Sequence, residues 1–595
     1  MSHPKNTHQT SVAGHIRHLI YGKGQAEQWL LMVLAVLIGI IAGYGAIGFY
    51  LAIDLINGML FGGSEKNLAT VARTLPWWHI IGVLTLGGLF IGQMLRFLPN
   101  HRAYGVAQVI EAAALKDGKL PFRHGLISAF ITITSLGVGG SAGREGPVVH
   151  LGGSLSNALV RWLNLSPALM RTLLGCGVSA AVAASFNAPI AGVFFALEVI
   201  IGHYALHVFT PIVISAIIGT IISRIHLGDF PAFSLPDYTI TSFTEFPAFF
   251  ILGLVCSAIA IFFMATMNRV DQSRLMREQT VPYWLQPALG GVLIGAIALI
   301  FPEILSVGYE ATSNALRGEY TLPILLMLIG AKLAATVITL ASRFGGGVFS
   351  PSLFMGAMTG GAFGLIAAMV APDSVSEPGL YAIVGMGAMA SAVLGAPIST
   401  MLIVFEITGD YSVTIAVMIA SSVASLFTSL LYSKSFFFLQ LANKGIHLEG
   451  GRASYLLKSH HIRDHVDRDF FTINENDSLT SAHDMLVAQE GGKLVVTNDA
   501  GDMVGVISFS RLPLSASEKE RHGHKTVGEI CDKSPQTLYG ADAMETALKQ
   551  MDASGEKQMV VLDSRDNPVI IGLLSQAKVI SEYNKALLES QGQDR

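Results

Sequence analysis

From residue 29 to residue 432 the chain is a succession of apolar runs broken by short polar or glycine-rich stretches, and this leaves few folds open. A backbone in lipid finds no water to satisfy its N–H and C=O groups, so such runs fold as helices that bond within themselves. Composition agrees, since 51% of the 595 residues are hydrophobic and only 13% charged, against about a quarter charged in ordinary soluble domains. The first run, 29–56, starts too late and is too long for a cleaved signal peptide, and reads as a retained, tilted helix. Positive charge in the preceding polar residues places the N-terminus in the cytoplasm. A net charge of −4 with dispersed Lys and Arg excludes nucleic acid as a partner. Cys176, Cys256 and Cys531 have no metal-ligand spacing, so neither a disulfide framework nor a zinc site follows.

One stretch between these runs carries charge: Gly-Gly-Ser-Ala-Gly-Arg-Glu-Gly-Pro at 139–147. Ionisable residues at membrane depth mark function by default. The glycines free backbone N–H groups to face a ligand, and Pro147 is placed to open a helix whose N-terminus attracts an anion. Glu145 would then compete with that anion as a tethered carboxylate, a movable gate. The alternative reading is a buried Arg144–Glu145 ion pair in a glycine-packed bundle.

A second stretch, Gly-Gly-Gly-Val-Phe-Ser-Pro at 345–351, repeats the design. Two helix N-termini facing one point supply partial positive charge without a full cation, weak enough for an ion to leave. Downstream of each motif an Ala-Pro-Ile triplet stands with its proline, Pro189 or Pro397, nine positions ahead of Glu198 or Glu406. The chain therefore reads as two duplicated halves with short, broken helices meeting inside the membrane. Glu198 and Glu406 read as residues that cap or pair inside the bundle. Lys332 and Arg343 read as snorkelling or paired cations rather than ion ligands.

These motifs resemble the paired signature of the CLC family of chloride channels and proton-coupled anion transporters, over residues from about 30 to about 445. The resemblance implies two inverted repeats, a homodimer with one pore per subunit, and anion contacts from the amides of Val348 and Phe349. It also implies an outer anion site at residues 143–146, which include Gly143, Arg144 and Gly146. Three positions depart from the family pattern. Tyr104 stands where a serine hydroxyl usually binds chloride, Phe437 where a tyrosine hydroxyl usually closes the inner pore, and Val199 where coupled members carry a second glutamate. Valine cannot shuttle a proton, which favours channel-like or weakly coupled conduction; a proton-coupled antiporter is the alternative, as some coupled relatives lack that glutamate.

After residue 445 charge returns. The expected order is a cytoplasmic tail at 1–28, the membrane domain at 29–445, a linker at 446–466, a paired α/β module at 467–581 and a tail at 582–595. The module resembles a tandem CBS pair. Nucleotide-binding CBS units end a Gly-x-x-Ser/Thr-x-x-Asp stretch in an aspartate that holds ribose, whereas here Arg511 and Lys578 end it, which weakens the case for a nucleotide partner. With both termini in the cytoplasm the number of crossings should be even. No phosphate loop, nucleophile elbow or metal-ligand set is found, so no enzyme activity, metal or cofactor is expected. The expected partners are chloride or a similar small anion, membrane lipid and a second copy of the chain. The expected place is the plasma or inner membrane. A CBS-regulated divalent-cation transporter is the reading from another class, and it would need intramembrane carboxylates or carbonyl cages.

Overall fold

The structure, a computed structural model, describes residues 24–163, 165–228, 238, 240, 245–273, 281–372, 375–448, 457, 458, 460–488, 492–512, 525–565 and 569–591. Most of the expected N-terminal tail lies outside these residues. The chain divides into two compact units, Met1–Ile446 and His447–Arg595.

The first unit is helical. Its first half contains α1 (Gly24–Phe61), α2 (Leu68–Ala72), α3 (Trp77–Met94), α4 (Val106–Leu115), α5 (Phe122–Gly137), α6 (Glu145–Val160), α7 (Pro167–Phe186), α8 (Pro189–Phe195, continued by a π turn, Ala196–Ile201) and α9 (Leu206–Leu227). The second contains α10 (Phe246–Gln272), α11 (Gln286–Ala298), α12 (Tyr309–Leu316), α13 (Leu322–Ala341), α14 (Phe349–Val370), α15 (Pro378–Leu394), α16 (Pro397–Thr408), α17 (Tyr411–Leu431) and α18 (Phe436–Ala442). Among the described residues eight helices are long and apolar enough to cross a membrane, and five apolar ones of 10–17 residues are shorter. Helix α1 outruns the expected 29–56 at both ends, and α6 begins at Glu145, two residues before Pro147. Pro147 thus sits in the first turn, where its missing N–H costs no intrahelical bond.

The duplication read from the sequence is visible in backbone angles. Helix α7 stops at Asn187 (φ 57) and α15 at Gly395 (φ 65), both left-handed caps. Each is followed by an alanine near φ −131, Ala188 or Ala396, and by the proline that opens the next helix. Close packing repeats too: a Cβ on Gly152 would meet the Gly177 carbonyl oxygen and a Cβ on Gly177 that of Gly152, and Gly356 and Gly385 stand in the same mutual relation. Without side chains in the way, α6 approaches α7, and α14 approaches α15, at backbone distance, as small residues permit in membrane bundles.

Glu198 and Glu406 complete this pairing by exchange. Glu198 accepts the Ile398 and Ser399 amides at the start of α16 (3.1 and 2.8 Å). Glu406 accepts the Ile190 and Ala191 amides at the start of α8 (2.9 and 2.7 Å). Each carboxylate caps the short helix of the other half, where orphan donors and the helix dipole favour a negative charge.

The second unit holds two three-stranded sheets of one design. In the first, β1 (Thr472–Asn474) runs parallel to β2 (Lys493–Thr497), which pairs antiparallel with β3 (Met503–Ser508). In the second, β4 (Thr537–Tyr539), β5 (Gln558–Leu562) and β6 (Ile570–Ser575) repeat that order. Even the irregularity recurs, after Val496 and after Val561. Helices α19 (Leu479–Ala488) and α20 (Val527–Ile530) belong with the first sheet, and α21 (Met544–Ser554) and α22 (Gln576–Gln591) with the second. Buried Val495, Val506, Val560 and Leu573 join the two copies. Two boundaries differ from expectation. Ile462, assigned to the linker, is fully buried in the core of the second copy. The expected tail from 582 is helical to Gln591, as part of α22.

Candidate functional site

The two glycine motifs bind each other. The Gly143 N–H donates to the Gly347 carbonyl (2.7 Å) and the Gly347 N–H to the Gly143 carbonyl (2.8 Å), a two-bond antiparallel bridge deep in the unit. It brings the first turn of α6 and the first turn of α14 together, each with amides that lack an intrahelical acceptor. The Gly143 amide, expected to face an anion, is committed to this bridge. The first-turn amides of Gly146 and Phe349, with that of Val348 at the N-cap of α14, remain oriented by the helices.

Glu145, only 2% exposed, is the first residue of α6. Its carboxylate is held by donors from the other half: the Ser350 hydroxyl on Oε2 and the Tyr309 hydroxyl on Oε1 at 3.4 Å. A Cβ on Gly143 would stand 2.9 Å from both Glu145 Oε2 and the Ser350 amide nitrogen. Glycine there leaves room for the carboxylate to lie against the start of α14.

The expected alternative, an Arg144–Glu145 pair, is not formed. Arg144 instead reaches Glu65, Nη1 to Oε2 at 2.9 Å, and its guanidinium lies 4.9 and 4.8 Å from the ring centres of Tyr50 and Tyr309. Tyr309 thus contacts both neighbours in the motif. It is placed by a loop whose carbonyls, those of Ile304, Ser306 and Val307, all accept from Lys332 Nζ at 3.0–3.1 Å. Lys332 neither snorkels nor pairs with a carboxylate; fully buried, it spends its three donors on that loop. Arg343 is taken by Gln286 Oε1 (2.7 Å) and the carbonyls of Asn100 and His101 (both 3.2 Å).

Two cavities flank Glu145. One, about 270 Å³, is lined by Tyr104, Gly146, Val348, Phe349 and Phe437; the other, about 560 Å³, by Tyr50, Glu65, Arg144 and Tyr309. Arg144 faces one cavity and Gly146 the other, so the intervening Glu145 stands at the partition. Tyr104 and Phe437, expected to share one part of the pathway, line the same cavity. The Tyr104 ring lies edge-on to His124 and His150, and its backbone N–H donates to the Ser128 hydroxyl (2.9 Å). Val199 is buried in the π turn and lines neither cavity. In the second unit Arg511, at one of the two ribose-aspartate positions, pairs with Asp532 at 3.1 Å.

Two helix N-termini meet beside a buried carboxylate, with a cavity on either side of it, an arrangement suited to holding a small anion. The description "voltage gated chloride channel" belongs to the family model that matches residues 87–429, more than half of the chain. The chain belongs to the CLC family. A CBS model matches residues 462–512, a stretch that includes the whole of the first sheet in the second unit. A ClcB-like chloride channel protein of Ralstonia nicotianae is 31% identical over 66% of this chain and 91% of its own length. The H⁺/Cl⁻ exchange transporter ClcA of Vibrio cholerae is 30% identical over 67% and 86%. A solved eukaryotic CLC transporter shares the fold, with TM-score 0.61 and 17% identity, covering 93% of this chain and 98% of the other. This CLC chain is thus a multi-pass membrane protein of anion transport with a CBS region.

Tyr309, Ser350 and Glu65 escaped sequence reading. Ser350 lies inside the second glycine motif, at 345–351, and its hydroxyl is the signal that marks it. Glu65 sits in a connection and Tyr309 at the start of α12, with no spacing to tie either to 139–147.

Proposed function

We propose that this CLC protein conducts chloride or a similar small anion past Glu145, in a channel-like or weakly proton-linked manner. The observation that carries the reading is the Glu145 carboxylate, buried between two cavities and held by Ser350 and Tyr309 where two helix N-termini meet. An ionised carboxylate there competes with the anion; protonation removes its charge and releases the place. Neutralising Glu145 by substitution should therefore open the place to the anion. Val348, Phe349, Gly146 and Tyr104 address the anion on one side, and Arg144 lines the cavity on the other with its charge balanced by Glu65. We assign the C-terminal unit and the N-terminus to the cytoplasm, and the working protein to a two-fold homodimer in lipid.

Exchange of chloride for protons is the second reading, favoured by the relatives that bear that name. It needs a relay beyond Glu145, and Val199 has no titratable group. Neighbouring Glu198, which accepts two amides and the Ser399 hydroxyl, is the first candidate for that relay.

Purified protein in liposomes, with anion and pH electrodes read together, tests both parts. Wild type is expected to pass anions down a gradient without uphill proton movement, and Glu145→Gln to pass them with little dependence on pH. Retention of the wild-type pH dependence in Glu145→Gln would remove the gate. Stoichiometric proton pumping by wild type would decide for exchange.

A further inference from the structure

The second unit holds a cluster that anion conduction does not use. His460 and His465 flank a single 3-10 turn, Ile462–Asp464, and Glu582 faces them from α22. One ligand atom from each lies within 4.8 Å of the others, and His465 Nδ1 stands 3.8 Å from Glu582 Oε1. The two imidazole rings are stacked and nearly parallel, 14° apart with centres at 5.3 Å, so one ring must turn before both in-plane lone pairs point at one ion.

Packing fixes the backbone behind each ligand. The Met544 amide donates to the His460 carbonyl (2.9 Å), and the Ile462 and Arg463 amides donate to the carbonyls of Asp542 and Gly540 (2.9 and 3.0 Å). Buried Ile462 and Val579, with Val466 and Tyr583, lock the turn and α22 into one core. Only side-chain rotations remain free. Tetrahedral zinc with bonds of about 2.0–2.2 Å has ligand-to-ligand edges of about 3.3 Å. The His465–Glu582 edge, at 3.8 Å, is already close to that, and the His460 ring has to turn to shorten edges of up to 4.8 Å. Two imidazoles and a carboxylate suit zinc better than the oxygen-seeking calcium or magnesium.

We propose that His460, His465 and Glu582 bind one zinc-type divalent metal ion, with the fourth position open to solvent. The ion clasps the segment through which the chain enters the second unit to the C-terminal helix of that unit. It is a candidate input to this unit distinct from a nucleotide.

The test uses the full chain, purified without a polyhistidine tag in metal-free detergent buffer, with Zn²⁺ titrated by calorimetry. One tight equivalent per chain is expected in wild type, weakened at least tenfold in Glu582→Gln and lost in His465→Ala. Circular dichroism of each variant without metal checks that the fold is retained, and Glu582→Gln, a near-isosteric change on a helix surface, keeps the comparison available if His465→Ala unfolds. The absence of a tight equivalent from wild type overturns the proposal. So does its persistence, undiminished, in Glu582→Gln.

Discussion

A carboxylate out of water needs donors, and Glu145 finds them in two hydroxyls from the opposite half, Ser350 and Tyr309. Hydroxyls can hold it and still let it go, because neither carries a charge. Its charged neighbour in the chain, Arg144, is turned to Glu65 and lies near the rings of Tyr50 and Tyr309. Tyr104 lines the cavity on the other side of the partition. Phe437 lines the same cavity, and the Tyr104 phenol is the proposed substitute for the two hydroxyls that the family resemblance leads one to expect. If it donates to the anion, Tyr104→Phe removes a neutral hydrogen bond of about 1 kcal/mol, roughly a fivefold loss of affinity. Calorimetry of anion binding is expected to show that loss, and Phe437→Tyr to recover part of it in the double variant. Unchanged affinity in Tyr104→Phe would remove Tyr104 as a ligand.

At the scale of elements, the short helices α8 and α16 cannot span by themselves and depend on what meets their ends. The reciprocal caps, Glu198 on α16 and Glu406 on α8, satisfy donors that apolar surroundings would leave unpaired. Glu406→Ala is expected to cost about 1–2 kcal/mol and to lower the melting temperature in detergent, with Glu406→Gln milder because it keeps an acceptor oxygen. Equal stability of Glu406→Ala and wild type would mean that the cap is energetically idle. The same logic explains why α6 and α14 can meet head to head: the Gly143–Gly347 bridge spends two backbone groups on each motif to hold both N-termini in place. A side chain at Gly143 would push into Glu145 and the start of α14 together.

For the whole molecule, the proposed two-fold dimer is the next property to measure. Apolar residues stay exposed on the paired short helices, Ile190 on α8 and Ile398 on α16, and on α9 and α17, among them Ile225 and Leu430. Isologous contact of such faces is the common route to a C2 dimer. Mass measurement in detergent is expected to give twice the 63.3 kDa of one chain. A monomer at working concentration would count against the assembly.

Much of this was legible in the sequence because it is local or periodic. Apolar runs must become helices in lipid, glycine next to charge marks a place where backbone faces a ligand, and equal spacing of Pro189 to Glu198 and Pro397 to Glu406 exposes the duplication. The importance of Glu145 follows from its setting alone. What only the tertiary structure decided are partners distant in the chain. Arg144 meets Glu65 and not its neighbour Glu145, Lys332 serves carbonyls rather than a carboxylate, and the Gly143 amide is spent on Gly347. His460, His465 and Glu582 come together only when the unit folds. Hydrophobic burial fixes which segments enter the bundle, but a buried polar group takes whichever complementary group packing brings within about 3 Å, and sequence distance carries no record of that choice.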